Sequence, residues 1–369
     1  MERHYQRVSL TVTALLILSV VAACSAPAAA PTQAPAKPAA SAAAVPAAST
    51  KALDPAVAAT EVPVAASNAA PKAEVKWPTK AVTFITHTNP GAGGDLFNRV
   101  VGKAAEKMFG QAVVVENRAG GSGANAFIAL KNAKPDGYTL MGQTPNLIIA
   151  PMTNKMPVTY KDFVPVCRMV IDTMVLYVKT DASWNDGKTF FDGAKANPGK
   201  LRVGGGSVGG ADNFMTDQAE LSTGGKIEYV PFESGAEVIA AVAGGHIAAG
   251  VGEYAEILPQ VEAKKLKVLA VAANNRISGI DAPTFKEQGI DSVMEKFRGF
   301  FAPGGMPKDV TDAIAAQLKR VYDTDEFQSW ANQGNMVLSY QGPDDFTKAI
   351  ESDATKFRAF LDRKGIKPE

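Results

Sequence analysis

Residues 82–95, VTFITHTNPGAGGD, run from a β-branched segment through a glycine-rich loop into a segment with helical spacing. The run from Val82 to Thr86 predicts a strand, and Asp95 can cap a helix whose apolar positions recur every three or four residues until Gly110. A strand that enters a helix through a glycine-rich loop is typical of open sheets with helices on both faces.

The same unit recurs at residues 201–212, LRVGGGSVGGAD. Further strands are predicted at 113–115, 138–141, 227–230, 247–251 and 268–272, and amphipathic helices at 310–322 and 344–361. This alternation predicts an α/β fold with two lobes and a ligand cleft between them.

Two apolar, β-prone stretches, 169–178 and 297–302, are longer than a single buried strand requires and are suited to join the lobes. We therefore expect residues 77–178 plus 297–369 to form lobe 1, and residues 179–296 to form lobe 2. Two chain crossings would then form a hinge.

The N-terminal residues indicate export. Arg3 and Arg7 precede an uncharged apolar run, 8–23, which is shorter than the roughly 20 residues of a membrane-spanning helix. The run ends in VAAC, which resembles a lipobox and predicts a signal peptide at 1–23 and a lipid on Cys24. The alternative is a plain secretory cut near Ala23.

Residues 24–76 predict a tether, because Ala, Pro, Ser and Thr dominate them and cannot form a core. The protein is therefore expected outside the cytoplasm and tied to a membrane. The second cysteine, Cys167, has no intrachain partner if Cys24 is lipidated, so no disulfide is expected.

Charge and histidine content argue against several classes of function. The formal net charge of +1 lacks the excess of basic residues that nucleic-acid binding requires. The sequence has three histidines and no cluster of Cys or His, so no metal site is expected. Residues 121–126 match G-x-G-x-x-A, but the preceding loop is too long and no acid ends the next strand, so no dinucleotide or other cofactor is expected.

Ser207 lies in GGSVG, which matches the nucleophile elbow G-x-S-x-G. That mechanism requires a histidine later in the chain, and the one available, His246, follows after a short interval and before a strand. A catalytic triad thus lacks a suitable base, and a serine esterase is kept only as a third alternative.

The two glycine-rich loops favour anion binding. A helix N-terminus presents unpaired N–H groups and partial positive charge, and glycine allows close approach to the backbone. Two such loops across a cleft would hold a dianion without any arginine. Either loop alone is better explained as a tight strand-to-helix turn, and it is their pairing, together with export and the lack of catalytic groups, that favours ligand binding.

The chain resembles the solute receptors of tripartite tricarboxylate transporters, also called Bug proteins, from Trp77 to the C-terminal helix. The resemblance depends on the order and spacing of several motifs, which are WPTK at 77–80, NPGAGGD at 89–95, VVENR at 114–118, PDGYTL at 135–140, PGKL at 198–201, the glycine run with Asp212-Asn213, VPF at 230–232, GGH at 244–246 and FRGFFAP at 297–303.

The resemblance implies a type II periplasmic binding fold that closes around a carboxylate and delivers it to a membrane permease of two further subunits. The residues that it implies for the cleft are Asn89, Gly91, Ala92, Gly93, Gly94, Asp95, Thr144, Asn146, Ser207, Val208, Gly209, Gly210, Ala211, Asp212, Glu253 and Tyr254. Gly94 and the Gly210-Ala211 pair replace hydroxyl residues common in the family, so water is expected to substitute for them. Glu253 would accept from a ligand hydroxyl or amine, repel a carboxylate, or lie on the surface.

We therefore expect a non-enzymatic, monomeric receptor for a small organic acid, a di- or tricarboxylate or an aromatic acid, that works by lobe closure. The alternative is a small-ligand receptor that serves a sensor kinase instead of a permease.

Overall fold

A buried strand and the helix that follows it organise the first lobe. In a computed structural model that describes residues 76–367, strand β1 (Val82–Thr86) buries most of its side chains and leads to helix α1 (Gly93–Phe109). The helix ends at Gly110, whose φ of 63° is left-handed as expected for a glycine cap. It begins two residues before the predicted cap, since Ala92 is the N-cap and Asp95 lies in the first turn.

The first sheet has the strand order β11-β4-β10-β3-β1-β2. Its other strands are β2 (Val113–Asn117), β3 (Thr139–Gln143), β4 (Phe163–Asp172), β10 (Lys296–Pro303) and β11 (Val337–Gln341). Strands β2 and β3 flank β1 in parallel, whereas β10 pairs antiparallel with both β3 and β4. Helices α2 (Ala124–Lys131), α3 (Asn146–Thr153), α8 (Lys308–Tyr322), α9 (Asp325–Gln333) and α10 (Pro343–Lys364) complete this half.

The second sheet has the order β7-β6-β8-β5-β9. Its strands are β5 (Met174–Lys179), β6 (Arg202–Gly205), β7 (Glu228–Pro231), β8 (Ala249–Glu253) and β9 (Leu266–Val271). Helices α4 (Gly187–Ala196), α5 (Ala211–Thr223), α6 (Gly235–Ala243) and α7 (Tyr254–Glu262) pack with it. The predicted two-lobed α/β fold is confirmed.

The chain changes sheet at Thr173, which is the single residue between β4 and β5. Its hydroxyl donates to the Asn335 carbonyl at 2.7 Å, and its own carbonyl accepts the Tyr254 N–H at 2.8 Å. The predicted boundary at Val178 differs, because β5 pairs with β8 and β9 of the second sheet. The return crossing precedes β10, close to the predicted residue 297.

Helix α10 contacts both lobes. It packs along β4, and it also places Phe357 and Phe360 with ring centroids 4.8 and 5.4 Å from that of Phe214 in α5. Arg363 then pairs with Asp217 of α5 at 2.6 Å. The C-terminal residues, predicted to belong to lobe 1 alone, therefore join the two halves, which together form one compact unit.

Cys24, the signal segment and the predicted tether lie outside the described residues. Cys167 is buried in β4. Within residues 76–367, no helix is both long and apolar enough to cross a bilayer.

Candidate ligand-binding site

A cavity of about 710 Å³ lies between the lobes, within the range typical of small-molecule sites. The first lobe lines it with the end of β1, the loop after β3 and helix α3. The second lobe lines it with the loop between β6 and α5. Its principal polar residues are His87, Ser122, Thr144, Asn146, Asn154, Ser207, Asp212, Lys296 and Lys367, and its apolar ones include Pro145, Ile149, Ala150, Val208 and Ile366.

The loop at residues 206–212, which we call the second jaw, is fixed by hydrogen bonds to side chains at the start of α5. The Asp212 carboxylate accepts the Gly206 N–H at 2.7 Å, and Asn213 Oδ1 accepts the Gly209 N–H at 3.1 Å. The backbone N–H groups of Ser207, Val208 and Ala211 have no hydrogen-bond acceptor in the described part of the chain. The start of α5 therefore presents free donors to the cavity.

Gly209 shows why this jaw needs glycine. Its φ of 81° is left-handed, and a β-carbon there would come within 3.1 Å of Thr153 Cγ2 and 3.2 Å of Leu361 Cδ2. Thr153 belongs to the first lobe and Leu361 to α10. The glycine thus lets the second jaw pack directly against the opposite wall.

The loop at residues 89–95, which we call the first jaw, is likewise fixed by a carboxylate in the first turn of the helix that follows it. The Asp95 carboxylate accepts the Gly91 N–H at 2.8 Å, and it also accepts from Arg99 at 2.9 Å and from Asn117 at 2.8 Å. The hydrogen bond from Arg99 is the largest of the effects that lower the pKa of Asp95 to about 2. Asp95 is 1% exposed, so its carboxylate binds the loop backbone from the buried side.

The first jaw does not line the cavity. It lies instead beside Arg298, whose guanidinium would be 3.1 Å from a β-carbon on Gly93. Arg298 Nε donates to both oxygens of Asp172, at 2.9 and 3.0 Å, which leaves its terminal nitrogens toward the jaw. An arginine thus lies next to the first jaw, and the expectation that the two jaws bind a ligand without any arginine stays a prediction.

His87 presents a defined tautomer to the cavity. Gln143 Oε1 accepts the Thr144 N–H at 2.8 Å, so the Gln143 amide nitrogen donates to His87 Nδ1 at 2.7 Å. The proton of the neutral ring is then on Nε2. Burial, with a smaller contribution from Lys296, lowers the pKa of His87 to about 4, so the ring is neutral at pH 7.

Lys296 and Glu253 form an ion pair that bridges the two sheets. Lys296 opens β10 in the first sheet, Glu253 ends β8 in the second, and the ammonium group donates to Glu253 Oε1. Their side chains are only 21% and 19% exposed. Glu253 is therefore largely buried beside the cavity residue Lys296 without lining the cavity itself, and the alternative that it sits on the surface is wrong.

The charges around this pair favour a charged lysine. Burial opposes the ammonium charge of Lys296, but Glu253, Asp212 and Asp172 outweigh it and raise the pKa of Lys296. Burial also disfavours the Glu253 carboxylate, yet Lys296 outweighs that effect and the pKa of Glu253 is lowered. Burial raises the pKa of Asp212, which Lys296 offsets only partly.

The structure brings together about half of the predicted site. The predicted residues that line the cavity are Thr144, Asn146, Ser207, Val208, Gly210, Ala211 and Asp212. Tyr254 does not reach it, because its side chain is 4% exposed and packs in the core of the second lobe. Asn89 and residues 91–95 do not line the cavity, although Gly93 lies beside Arg298, and Gly209 is buried against the opposite wall.

Six polar residues of the cavity were missed from the sequence, namely His87, Ser122, Thr153, Asn154, Lys296 and Lys367. His87 follows the first strand directly, so its position at the carboxyl end of a parallel strand was a usable signal. Lys296 offered none, because the order of strands that brings β10 to the centre of the first sheet is not visible in local patterns.

Comparison with known proteins identifies the family. The sequence profile described as "Tripartite tricarboxylate transporter family receptor" (TctC) matches residues 97–366. The chain belongs to this family. TctC proteins are periplasmic solute-binding receptors and not enzymes, so the esterase alternative for Ser207 is wrong.

Individual relatives agree with this assignment. Protein BugT of Bordetella pertussis is 26% identical over 296 residues, which cover 71% of this chain and 91% of BugT. A TctC solute-binding protein from Polaromonas, solved without ligand, is 28% identical with a TM-score of 0.70 over 78% of this chain and 99% of its own. The R. palustris protein Rpa4515, solved with adipate, is 22% identical with a TM-score of 0.69 over 79% and 100%.

Proposed function

We propose that this TctC receptor captures a small di- or tricarboxylate by closing its two lobes around it. The observation that carries the proposal is the set of unpartnered N–H groups at the start of α5, in the wall of a cavity between the lobes. Such donors, reinforced by the partial positive charge of a helix N-terminus, suit a carboxylate.

The composition of the cavity supports a small acid with an aliphatic body. Ile149, Ala150 and Val208 supply apolar surface next to the hydroxyls of Thr144 and Ser207. Val208 is 52% exposed, so a ligand that covered it would remove apolar surface from water. Rpa4515, which has the same fold, was solved with adipate, a six-carbon acid of this kind.

Lobe closure is proposed from the connections between the lobes. The crossing at Thr173 is a single residue, and backbone rotation at a few such residues is sufficient for hinge motion. Because the cavity is lined from both sides, closure would expel water and strengthen hydrogen bonds to the ligand.

The proposal extends to partners and location. Membership of a transporter receptor family supports delivery of the acid to the permease subunits of a tripartite tricarboxylate transporter. The lipobox-like VAAC segment supports a lipid on Cys24 and a membrane tether outside the cytoplasm.

Thermal-shift screening against a panel of acids tests the function. Succinate, malate, adipate, citrate and benzoate would be compared with monosaccharides and primary amines at equal ionic strength. A ligand at 100 times its Kd adds about 2.7 kcal/mol of stability, which corresponds to roughly 5–10 °C in Tm for a domain of this size. Stabilisation by sugars or amines alone would refute the carboxylate proposal.

A further inference from the structure

Lys296 is the charged side chain that approaches the cavity from the first sheet. It lines the cavity together with the second jaw, and it is the first residue of β10, where the strand pairs with Asp172 of β4. A cation in this position is rigidly placed and largely withdrawn from bulk water. It is therefore suited to select a ligand group by charge.

Lys296 has spare hydrogen-bonding capacity. An ammonium group carries three N–H donors, and within residues 76–367 its one hydrogen-bond acceptor is Glu253 Oε1. Two donors thus remain for another acceptor in the cavity. Because Glu253 already fixes the ammonium group, a ligand that binds there does not have to immobilise a flexible lysine.

The second jaw cannot supply this selectivity by itself, and the first jaw does not line the cavity. Backbone amides bind one carboxylate of a mono- or a dicarboxylic acid equally well, because each acid offers the same group. A second anionic group is recognised only if another donor meets it. In the described cavity, the buried cation that can do so is Lys296, since Lys367 is exposed on the C-terminal side.

We propose that Lys296 is a specificity-determining residue that binds a second carboxylate of the ligand, with Glu253 of the opposite lobe acting as its positioning residue. The ligand class is thereby narrowed to acids with at least two carboxylates. This inference rests on the proposed carboxylate function. It goes further by assigning the second charge of the ligand to one side chain.

The test compares acids that differ by one carboxylate. Adipate and hexanoate form one pair with equal chain length, and succinate and butyrate form a second. Isothermal titration calorimetry at pH 7.5 would give Kd for each acid with the wild type and with Lys296→Met. We expect the variant to lose about 10- to 100-fold in affinity for the preferred dicarboxylate, while affinity for its monocarboxylate changes less than about threefold.

Two further variants keep the test decisive. Lys348→Met removes a lysine that is 75% exposed and lies outside the cavity, and it should leave the preference for dicarboxylates unchanged. Lys296→Met leaves Glu253 without its counter-ion and could impair folding, so the double variant Lys296→Met/Glu253→Gln removes both charges together. It should fold, with a wild-type circular dichroism spectrum, and show the same loss of preference.

The outcomes separate the two proposals. Suppose that the wild type binds dicarboxylates. If Lys296→Met and the double variant then retain the preference, or lose affinity equally for both members of a pair, Lys296 only connects the two lobes and the inference is wrong. If the wild type binds neither member of either pair nor any other acid of the panel, the carboxylate function itself fails and this inference fails with it.

Discussion

His87 is a pH-sensitive residue in the wall of the cavity. Its pKa is about 4 in the folded protein against the ordinary histidine pKa of 6.5, because burial and Lys296 disfavour the imidazolium. The folded state therefore resists protonation. The corresponding stability is fully present above pH 6.5 and is lost as the pH falls from 6.5 through about 4, by at most about 3 kcal/mol.

We predict that His87→Gln reduces this acid sensitivity. Glutamine can still accept from Gln143 but does not titrate, so urea-unfolding free energies measured from pH 7 to pH 4 should fall less steeply than in the wild type. His246→Gln is the control, because that histidine is exposed, and it should follow the wild-type curve. Equal slopes for the two variants would contradict the assignment.

At the residue scale, the sequence predicted the glycines and hydroxyls of the second jaw but not the cations. Gly206 and Ser207 follow a strand and precede a helix, which is a local pattern with a local meaning. Lys296 meets Glu253 only because two different sheets bring them together. No pattern within either segment encodes that meeting.

At the scale of elements, both jaws are loops that an aspartate in the following helix ties down. Asp95 receives the Gly91 N–H and Asp212 receives the Gly206 N–H. In each case the carboxylate is in the first helical turn, where the helix dipole also favours negative charge. Each aspartate thus fixes the backbone of the loop that precedes its helix.

We predict that Asp95→Ala destabilises the protein by about 2–4 kcal/mol, because Gly91, Arg99 and Asn117 lose a buried, charged acceptor. Chemical unfolding at pH 7 measures the change. Asp345→Ala removes an acid from the first turn of α10 whose side chain is 70% exposed, and it should cost less than about 0.5 kcal/mol. A similar cost for both variants would show that Asp95 does not support the jaw.

Element boundaries were predictable where the signal is short-range. The first strand matches residues 82–86, and α1 ends at Gly110 as predicted. The stretch 169–178 was predicted as one continuous connection, yet it is two strands of different sheets that break at Thr173. The break is imposed by pairing with distant strands of two different sheets.

At the scale of the molecule, the two lobes are connected more extensively than by two crossings. Helix α10 extends from the first sheet to α5 and ends in ion pairs of Arg363 and Lys364 with Asp217. Any closing motion must therefore carry or bend α10. The sequence showed an amphipathic helix here, but its apolar face could not reveal that the partners belong to both lobes.

The central claim is that backbone amides at the start of α5 hold a carboxylate inside the cavity. A crystal structure of the protein with adipate, or with the acid that gives the largest thermal shift, tests it most directly. We predict one carboxylate at about 2.9 Å from the N–H nitrogens of Ser207, Val208 or Ala211 and the second at Lys296. An acid bound outside this cavity, or inside it without a hydrogen bond to those amides, would contradict the claim.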